Sequence, residues 1–281
     1  MIRFIIVLLF TGVAFADTST SSVMLRWKIN NLESLEYRTF LDAMPVKYGV
    51  DIKSKELKDK KRTIKAINSL KLVPFPSQVP LKTTITKDAT SLIVKMTNVA
   101  VNYDSSPGSE KDKLVRNYQK SLDGVVHLIS NINDSGDNLS FYLKQRQKNL
   151  VSLLFQLPKS KVSINSHWTI PVNLIEAGPG PFHAALAERS NNAYLASIST
   201  IDGDRIAEIH YLISEKVEGY FETQSMKKVD SSFDISFIAY GEFLVDKGRW
   251  KRFRGQLTSN VQGTNQSSNK SLFALEPSRL D

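Results

Sequence analysis

Apolar and polar residues alternate along most of this 281-residue chain, in short segments separated by turn-forming residues. Such alternation is typical of strands that bury one face, because successive side chains of a strand point to opposite sides of the sheet. Residues 202–204 (Asp-Gly-Asp) and 246–249 (Asp-Lys-Gly-Arg) each join two such segments, and glycine accepts the positive φ that tight hairpins need. Consecutive hairpins predict a mainly β protein built as a large, curved antiparallel meander or half-barrel.

Most of the predicted strands come in neighbouring pairs. A turn around Asn30 and Asn31 separates the first two, and residues 134–137 (Asp-Ser-Gly-Asp) form a similar break further on. The predicted strands are residues 24–29 and 35–41, 81–87 and 92–103, 125–133 and 139–143, 194–201 and 205–214, 217–222, and finally 233–245 and 250–260.

Two or three short helices interrupt this pattern. Residues 110–122 follow a Ser-Ser-Pro-Gly break and place leucine, valine and tyrosine near one helix face. Residues 147–157 are rich in leucine and stop before Pro158. Residues 182–189 are a third candidate, after Gly-Pro-Gly-Pro. We expect the helices to lie over the concave side or the edge of the sheet.

The first residues read as an export signal. Arg3 supplies a positive start, residues 4–13 an apolar run, and Ala14-Phe15-Ala16 a small-x-small cleavage site. The run is too short for a stable membrane span and no second one follows, so no transmembrane segment is expected. The predicted organisation is a signal peptide at residues 1–16, a β-rich half at 17–157 and a β-meander half at 158–281, with one continuous domain as the alternative.

The chain contains no cysteine. Exported eukaryotic domains commonly carry disulfides, so their absence favours a bacterial periplasm, with an extracellular location as the alternative. No cysteine follows the signal, and a bacterial lipid anchor is therefore not expected. Four Asn-x-Ser sequons keep a eukaryotic source open: Asn133, Asn138, Asn265 and Asn269.

The net charge of +9 would attract the protein to anionic lipid, lipopolysaccharide, cell-wall polymers or extracellular nucleic acid, although no specific nucleic-acid motif is present. Solubility without a partner is the alternative explanation. Residues 53–65 are the densest basic stretch. Their low apolar content favours a solvated loop or frayed helix over a docking patch, because interspersed carboxylates dilute the positive field.

A second basic segment crowds cations and aromatic rings into one hairpin and its outgoing strand. Regular alternation would give each face cations beside an aromatic ring, which suits phosphate or sugar-phosphate binding. An exposed ribbon whose charges block edge-to-edge aggregation is the alternative. The candidate binding residues are Arg249, Lys251 and Phe253 on one face, and Trp250, Arg252 and Arg254 on the other.

No catalytic, metal or cofactor site is predicted. Glu208 and His210 share a strand face, but no His-x-His or His-Glu-x-x-His pattern accompanies them, and a packed histidine is the simpler interpretation. Gly-x-Ser-x-Gly, phosphate-binding glycine loops and dinucleotide fingerprints are absent from the sequence.

From residue 151 to residue 263 the elements follow a recognisable order. A helix ending at Leu157-Pro158 precedes a strand opened by His167-Trp168, a hairpin over residues 202–204, a long strand after Phe233-Asp234, and a last long strand after residues 246–248. This order resembles exported bacterial β-meander proteins of uncharacterised function. More distantly, it is similar to the clamshell half-barrels that carry lipoproteins or lipids across the periplasm. The resemblance implies an open antiparallel sheet with a helical lid and no catalytic residues, and it transfers no individual site.

These features predict a non-enzymatic protein that binds an envelope component, either an acyl chain or an anionic glycolipid. A structural or adaptor module that docks on another envelope protein is the alternative, and a hydrolase with an unrecognised site is the third. The sequence leaves open whether the apolar sheet face is a filled core or an open groove, and it leaves the oligomeric state open.

Overall fold

Eleven strands and three α-helices make up the computed structural model of the protein, which describes residues 22–44, 49–50, 52–100, 108–141, 145–175, 182–222, 227–263 and 266–278. The predicted signal peptide lies outside these residues. The helices are α1 (Lys60–Lys71), α2 (Glu110–Ser121) and α3 (Gln145–Phe155), and a 3-10 helix (Ser54–Lys58) precedes α1. The strands are β1 (Ser34–Ala43), β2 (Leu81–Asp88), β3 (Ser91–Asn98), β4 (Val126–Ile132), β5 (Asn138–Phe141), β6 (His167–Thr169), β7 (Phe182–Ile201), β8 (Asp204–Glu222), β9 (Lys228–Leu244), β10 (Arg249–Gln262) and β11 (Ser267–Pro277).

All eleven strands form one antiparallel sheet in the order β5-β4-β3-β2-β1-β11-β10-β9-β8-β7-β6. The prediction of a large β-meander is therefore confirmed. The described outer strands β5 and β6 do not pair with each other, so the sheet is not closed into a barrel. The first and last strands are neighbours in the middle, where Tyr37 of β1 lies opposite Pro277 of β11. Strands from both predicted halves of the chain thus share a single sheet.

One face of the sheet, here called the aromatic face, carries Phe243, Trp250 and Phe253 and is filled by other parts of the chain. Residues 23–29 lie against it in extended conformation. Trp27 of this segment packs edge-on against Phe243, with ring centroids 5.5 Å apart. Because these side chains are buried, this part of the apolar face is core and not an open groove.

Helix α3 covers the same face and is held by two tryptophans. The Nε1 atom of Trp27 donates to the carbonyl oxygen of Phe155, and Nε1 of Trp250 donates to that of Leu154, both at 2.8 Å. The last carbonyls of a helix have no partner within the helix, so the two indole groups satisfy acceptors that would otherwise be buried without hydrogen bonds.

The opposite face, here called the α1 face, holds a smaller core. Ala66, Ile67 and Leu70 of α1 are buried on it against Tyr240 and neighbouring residues. The N-cap residue Asp59 begins the helix, since its side chain accepts from two first-turn amides. The basic stretch at residues 53–65 is therefore folded, and the prediction of a solvated loop or frayed helix is wrong. The many lysines occupy the outer side of helices whose inner side is apolar.

Three further expectations are corrected by the structure. Residues 182–189 belong to β7, not to a helix, because they pair in register with β8. Residues 24–29 form no ladder. An isolated bridge joins Val23 to Val162, and Trp27 N and Lys28 N donate to the carbonyl oxygens of Asp134 and Gly248 in two turns. Residues 267–277 were not expected to form a strand, yet they form β11, whose serine- and asparagine-rich start hides the apolar alternation that follows. Helices over residues 110–122 and 147–157 are confirmed as α2 and α3, with small shifts of their ends.

Candidate binding site

The predicted basic–aromatic segment of β10 contains a β-bulge. Trp250 lies opposite Phe243 and Arg252 lies opposite Glu242, so Lys251 is an extra residue without its own partner. A bulge residue reverses the alternation that follows it. Trp250 and Phe253 consequently share the aromatic face, with ring centroids 5.6 Å apart, and both are buried. The predicted placement of these two rings on opposite faces is wrong.

The arginines of this segment are individually neutralised. Arg249 Nη2 lies 2.5 Å from Glu33 Oε1, and Arg252 Nη2 lies 2.6 Å from Glu242 Oε1. Arg254 is buried, pairs with Glu276 and lies 4.9 Å from the centroid of the Phe75 ring. Among the described residues, no carboxylate forms an ion pair with Lys251. The six residues predicted as a binding site therefore do not converge on one ligand position.

A pocket of about 710 Å³ does include three of the six, Arg249, Trp250 and Lys251. The charged residues of this pocket are equal in number, because three carboxylates, Glu33, Glu36 and Asp204, face Lys247 and the two cations of β10. Asp204 is also bound to Lys247 at 2.9 Å. This balance gives the pocket little attraction for an anion.

A second cleft of about 710 Å³ lies on the α1 face and has a different character. Its floor is formed by neighbouring side chains of β7, β8, β9 and β10, which stand opposite one another in register. The first row lines the cleft with Ser190 and Ser214 and continues across the sheet into buried Ser236 and Thr258. The second row lines it with Glu188, Lys216, Asp234 and Asn260. Hydroxyl, amide and charged groups thus replace the apolar side chains that cover the same face near α1.

The wall of this polar cleft is the 3-10 helix, which contributes Lys55 and Lys58 to the lining, together with its N-cap residue Lys53. Buried Leu57 holds the helix to the sheet. The preceding chain is fixed by Gln256, whose amide oxygen accepts from Val50 N at 2.8 Å and whose Nε2 donates to Val50 O at 2.7 Å. These two hydrogen bonds have the pattern of a paired backbone amide in a sheet. They hold the chain that leads into the 3-10 helix, so that Lys53, Lys55 and Lys58 lie beside the polar side chains of the sheet.

Positive charge dominates the polar cleft. Five cations line it against two carboxylates, Glu188 and Asp234. Among the described residues, no carboxylate forms an ion pair with Lys53, Lys55 or Lys58. The hydrogen bond to Glu218 raises the pKa of the Lys216 amine, which keeps that group charged. The cleft therefore combines fixed positive charge with many neutral hydrogen-bonding groups.

Beside this region, the predicted Glu208–His210 pair is part of a wider network. His210 Nε2 lies 2.5 Å from Glu208 Oε1, Lys71 Nζ lies 2.6 Å from the same oxygen, and Tyr194 Oη lies 2.8 Å from His210 Nδ1. The His210 hydrogen bond, with that of Lys71, lowers the pKa of Glu208 to about 2. Burial raises the pKa of Tyr194, with a smaller contribution from Glu208, so its hydroxyl stays protonated.

This network links α1 to β8 and β7 and offers no activated nucleophile. Within the described ranges, no group of three or more His, Asp or Glu side chains is placed to hold a metal ion. The same residues contain no helix long and apolar enough to cross a membrane. Sequence reasoning missed Lys71 and Tyr194. Lys71 contacts Glu208 because α1 packs on the sheet, and Tyr194 contacts His210 because β7 pairs with β8.

The polar cleft was also missed by sequence reasoning. The available signal was polar residues at every second position of long strands, such as Ser214 and Lys216, but the same pattern describes any solvated sheet face. No protein-family model and no curated protein matches this chain. The geometry of the cleft therefore carries the functional argument.

Proposed function

We propose that the protein is a non-enzymatic binding protein of the cell envelope, and that its ligand is an anionic saccharide, either free or as the headgroup of a glycolipid. The observation that carries this proposal is the polar cleft. Three lysines without ion pairs among the described residues, Lys53, Lys55 and Lys58, stand beside a floor of serine, asparagine and glutamine side chains.

The chemistry of the cleft fits a saccharide better than an acyl chain. Serine hydroxyls such as Ser190 and Ser214 donate and accept, as does the amide group of Asn260, and a sugar needs both. Lysine ammonium groups attract phosphate or carboxylate substituents without fixing one geometry. An acyl chain, in contrast, needs an apolar cavity, and the described central part of the aromatic face is filled by Trp27, Phe155 and their neighbours.

The proposal is tested with a fluorescent phosphorylated oligosaccharide and the same oligosaccharide after its phosphate has been removed. We expect the phosphorylated form to bind more tightly. The triple variant Lys53→Glu, Lys55→Glu, Lys58→Glu should lose at least tenfold in affinity, because it reverses the charge of the cleft wall. Fluorescence anisotropy measures both.

A matched control changes the same number of charges outside the cleft lining, with Lys60→Glu, Lys61→Glu and Lys65→Glu on the exposed side of α1. This control should bind like the unchanged protein. Equal losses in both variants would reduce the effect to general electrostatic attraction and overturn the cleft as the binding site.

A free strand edge supports the adaptor function as a second candidate. In the described residues, β6 pairs only with residues 192–194 of β7, so residues 182–190 have no outer neighbour. Another protein can add a strand to such an edge. A photo-reactive residue at Leu186 should then cross-link to an envelope protein, whereas one at Ile201 should not. Absence of any specific cross-link at position 186 would argue against this function.

A further inference from the structure

Helix α2 turns its apolar side toward solvent. Leu114 and Tyr118 are 68% and 66% exposed, and Val115 is exposed beside them. The half-buried positions of the helix itself are Arg116 and Gln119, which lie on its polar side. A surface helix normally buries its apolar side against the core, so the orientation of α2 is the reverse of the usual one.

The chain on both sides of α2 carries further exposed apolar residues. Val99, Val125 and Val126 are also exposed. They lie where the chain that carries α2 leaves β3 and returns to β4. Asn98 holds the two ends together, because its N–H donates to Val125 O at 2.9 Å and its carbonyl accepts from Gly124 N at 3.0 Å. We call Val99, Leu114, Val115, Tyr118, Val125 and Val126 the α2 patch.

Exposed apolar residues are more frequent in the α2 patch than on the rest of the described surface. Of the 14 exposed large hydrophobic residues in the described part of the chain, six belong to this patch. Exposed large apolar side chains concentrated in one segment of the fold, as they are here, are typical of a site of interaction with a protein or a membrane.

Charge selects between these partners. Helix α2 carries four cations and two carboxylates, and the whole chain has a net charge of +9. A second copy would bring two net-positive helices together, which electrostatic repulsion opposes. An anionic bilayer complements both the apolar patch and the charge. Lys111 lies at the start of the apolar side, where its amine can reach lipid phosphates while Leu114 and Tyr118 enter the interface.

We propose that the α2 patch docks the protein on an anionic lipid bilayer, with α2 lying in the plane of the interface. The helix has 12 residues, too few to span the hydrocarbon core. Docking through one short helix is weak and reversible. The patch shares no residue with the polar cleft, so this inference goes beyond the proposed function and is tested separately.

Binding is measured by flotation of the protein, purified as the expressing cell exports it, with vesicles of phosphatidylcholine alone or mixed with phosphatidylglycerol. We expect binding to the mixed vesicles that weakens as salt is raised. The double variant Leu114→Ser, Tyr118→Ser should bind at least tenfold more weakly and unfold at the same urea concentration. The matched control Leu32→Ser, Ile201→Ser changes two other exposed residues and should bind normally.

A label localises the contact, and the absence of native cysteine makes this straightforward. An environment-sensitive dye on Leu114→Cys should shift its emission to the blue with mixed vesicles, and the same dye on Ile201→Cys should not. Equal flotation of the Leu114→Ser, Tyr118→Ser variant and the unchanged protein would overturn the proposal. So would a dimer of the unchanged protein that this variant converts to a monomer. Oligosaccharide binding should survive the variant, which separates failure here from failure of the proposed function.

Discussion

Helices α1 and α2 have the same length and a similar composition, yet the fold uses them in opposite ways. Each has 12 residues, a polar N-cap and several lysines. Helix α1 buries Ala66, Ile67 and Leu70 on the sheet, whereas α2 has no buried residue. An amphipathic pattern therefore shows that an apolar side exists, but not whether the protein's own core covers it.

The largest expected difference between the two helices comes from truncating a leucine in each. Leu70→Ala should lower the free energy of unfolding by about 2–5 kcal/mol, because Leu70 is fully buried and its loss leaves a cavity. Leu114→Ala should change it by less than about 0.5 kcal/mol, because Leu114 is exposed. Urea unfolding followed by circular dichroism measures both, and similar losses would contradict the comparison.

A smaller effect concerns the charge that ties the last turn of α1 to the sheet. The pKa of Glu208 is lowered from 4.5 to about 2 by His210 and, more weakly, by Lys71. Its ionised form therefore stabilises the folded state fully above about pH 4.5, and this contribution is lost as the pH falls to about 2. Glu208→Gln should cost about 1–2 kcal/mol at neutral pH.

The measurement is the difference in unfolding free energy between Glu208→Gln and the unchanged protein at several pH values. Carboxylates distant from Glu208 are common to both proteins and cancel. Glu242 stands opposite Glu208, so the variant also relieves it of a neighbouring negative charge, and Glu242→Gln alone and combined with Glu208→Gln measures that share. We expect the difference to disappear near pH 2. A difference that stays constant across this pH range would show that hydrogen bonding or packing, and not ionisation, is lost.

The smallest effect is expected at the helix caps. Asp59→Ala should lower the unfolding free energy by about 1 kcal/mol, because α1 unfolds together with the core on which it packs. Ser109→Ala removes the equivalent hydrogen bond to Asp112 N in α2. It should leave global unfolding unchanged and speed amide exchange within α2, since a helix without core contacts opens locally. Equal effects on global stability would show that α2 is coupled to the core.

Much of the sheet could be predicted from the sequence because the meander is local in the chain. Turns such as Asp202-Gly203 join strands that pair with each other, and alternation identifies the buried side. The central pairing of β1 with β11 could not be predicted in this way. Nothing local to either strand indicates its partner, and the polar start of β11 weakens its own pattern.

The candidate sites show where such reasoning stops. The cations of β10 suggested a binding site, but their carboxylate partners all lie outside the segment. Glu242 is 10 residues from Arg252, Glu276 is 22 residues from Arg254, and Glu33 is 216 residues from Arg249. The extra residue Lys251 then reversed the faces, and no turn signal marks it. The polar cleft needs five separate strands and the 3-10 helix, so its residues come together only in the folded chain.

The adjacency of the first and last strands has a consequence for how the chain folds. Tyr37 must find Pro277, 240 residues later, before the middle of the sheet can close. Such distant pairing slows folding, because loop closure must precede the contacts that reward it. The strand that joins the two flanks, β11, also follows the ten other described strands in the chain, so it leaves the ribosome after them. A newly made chain consequently cannot complete its sheet until β11 has been made, and β1 and β10 lack a shared central neighbour until then.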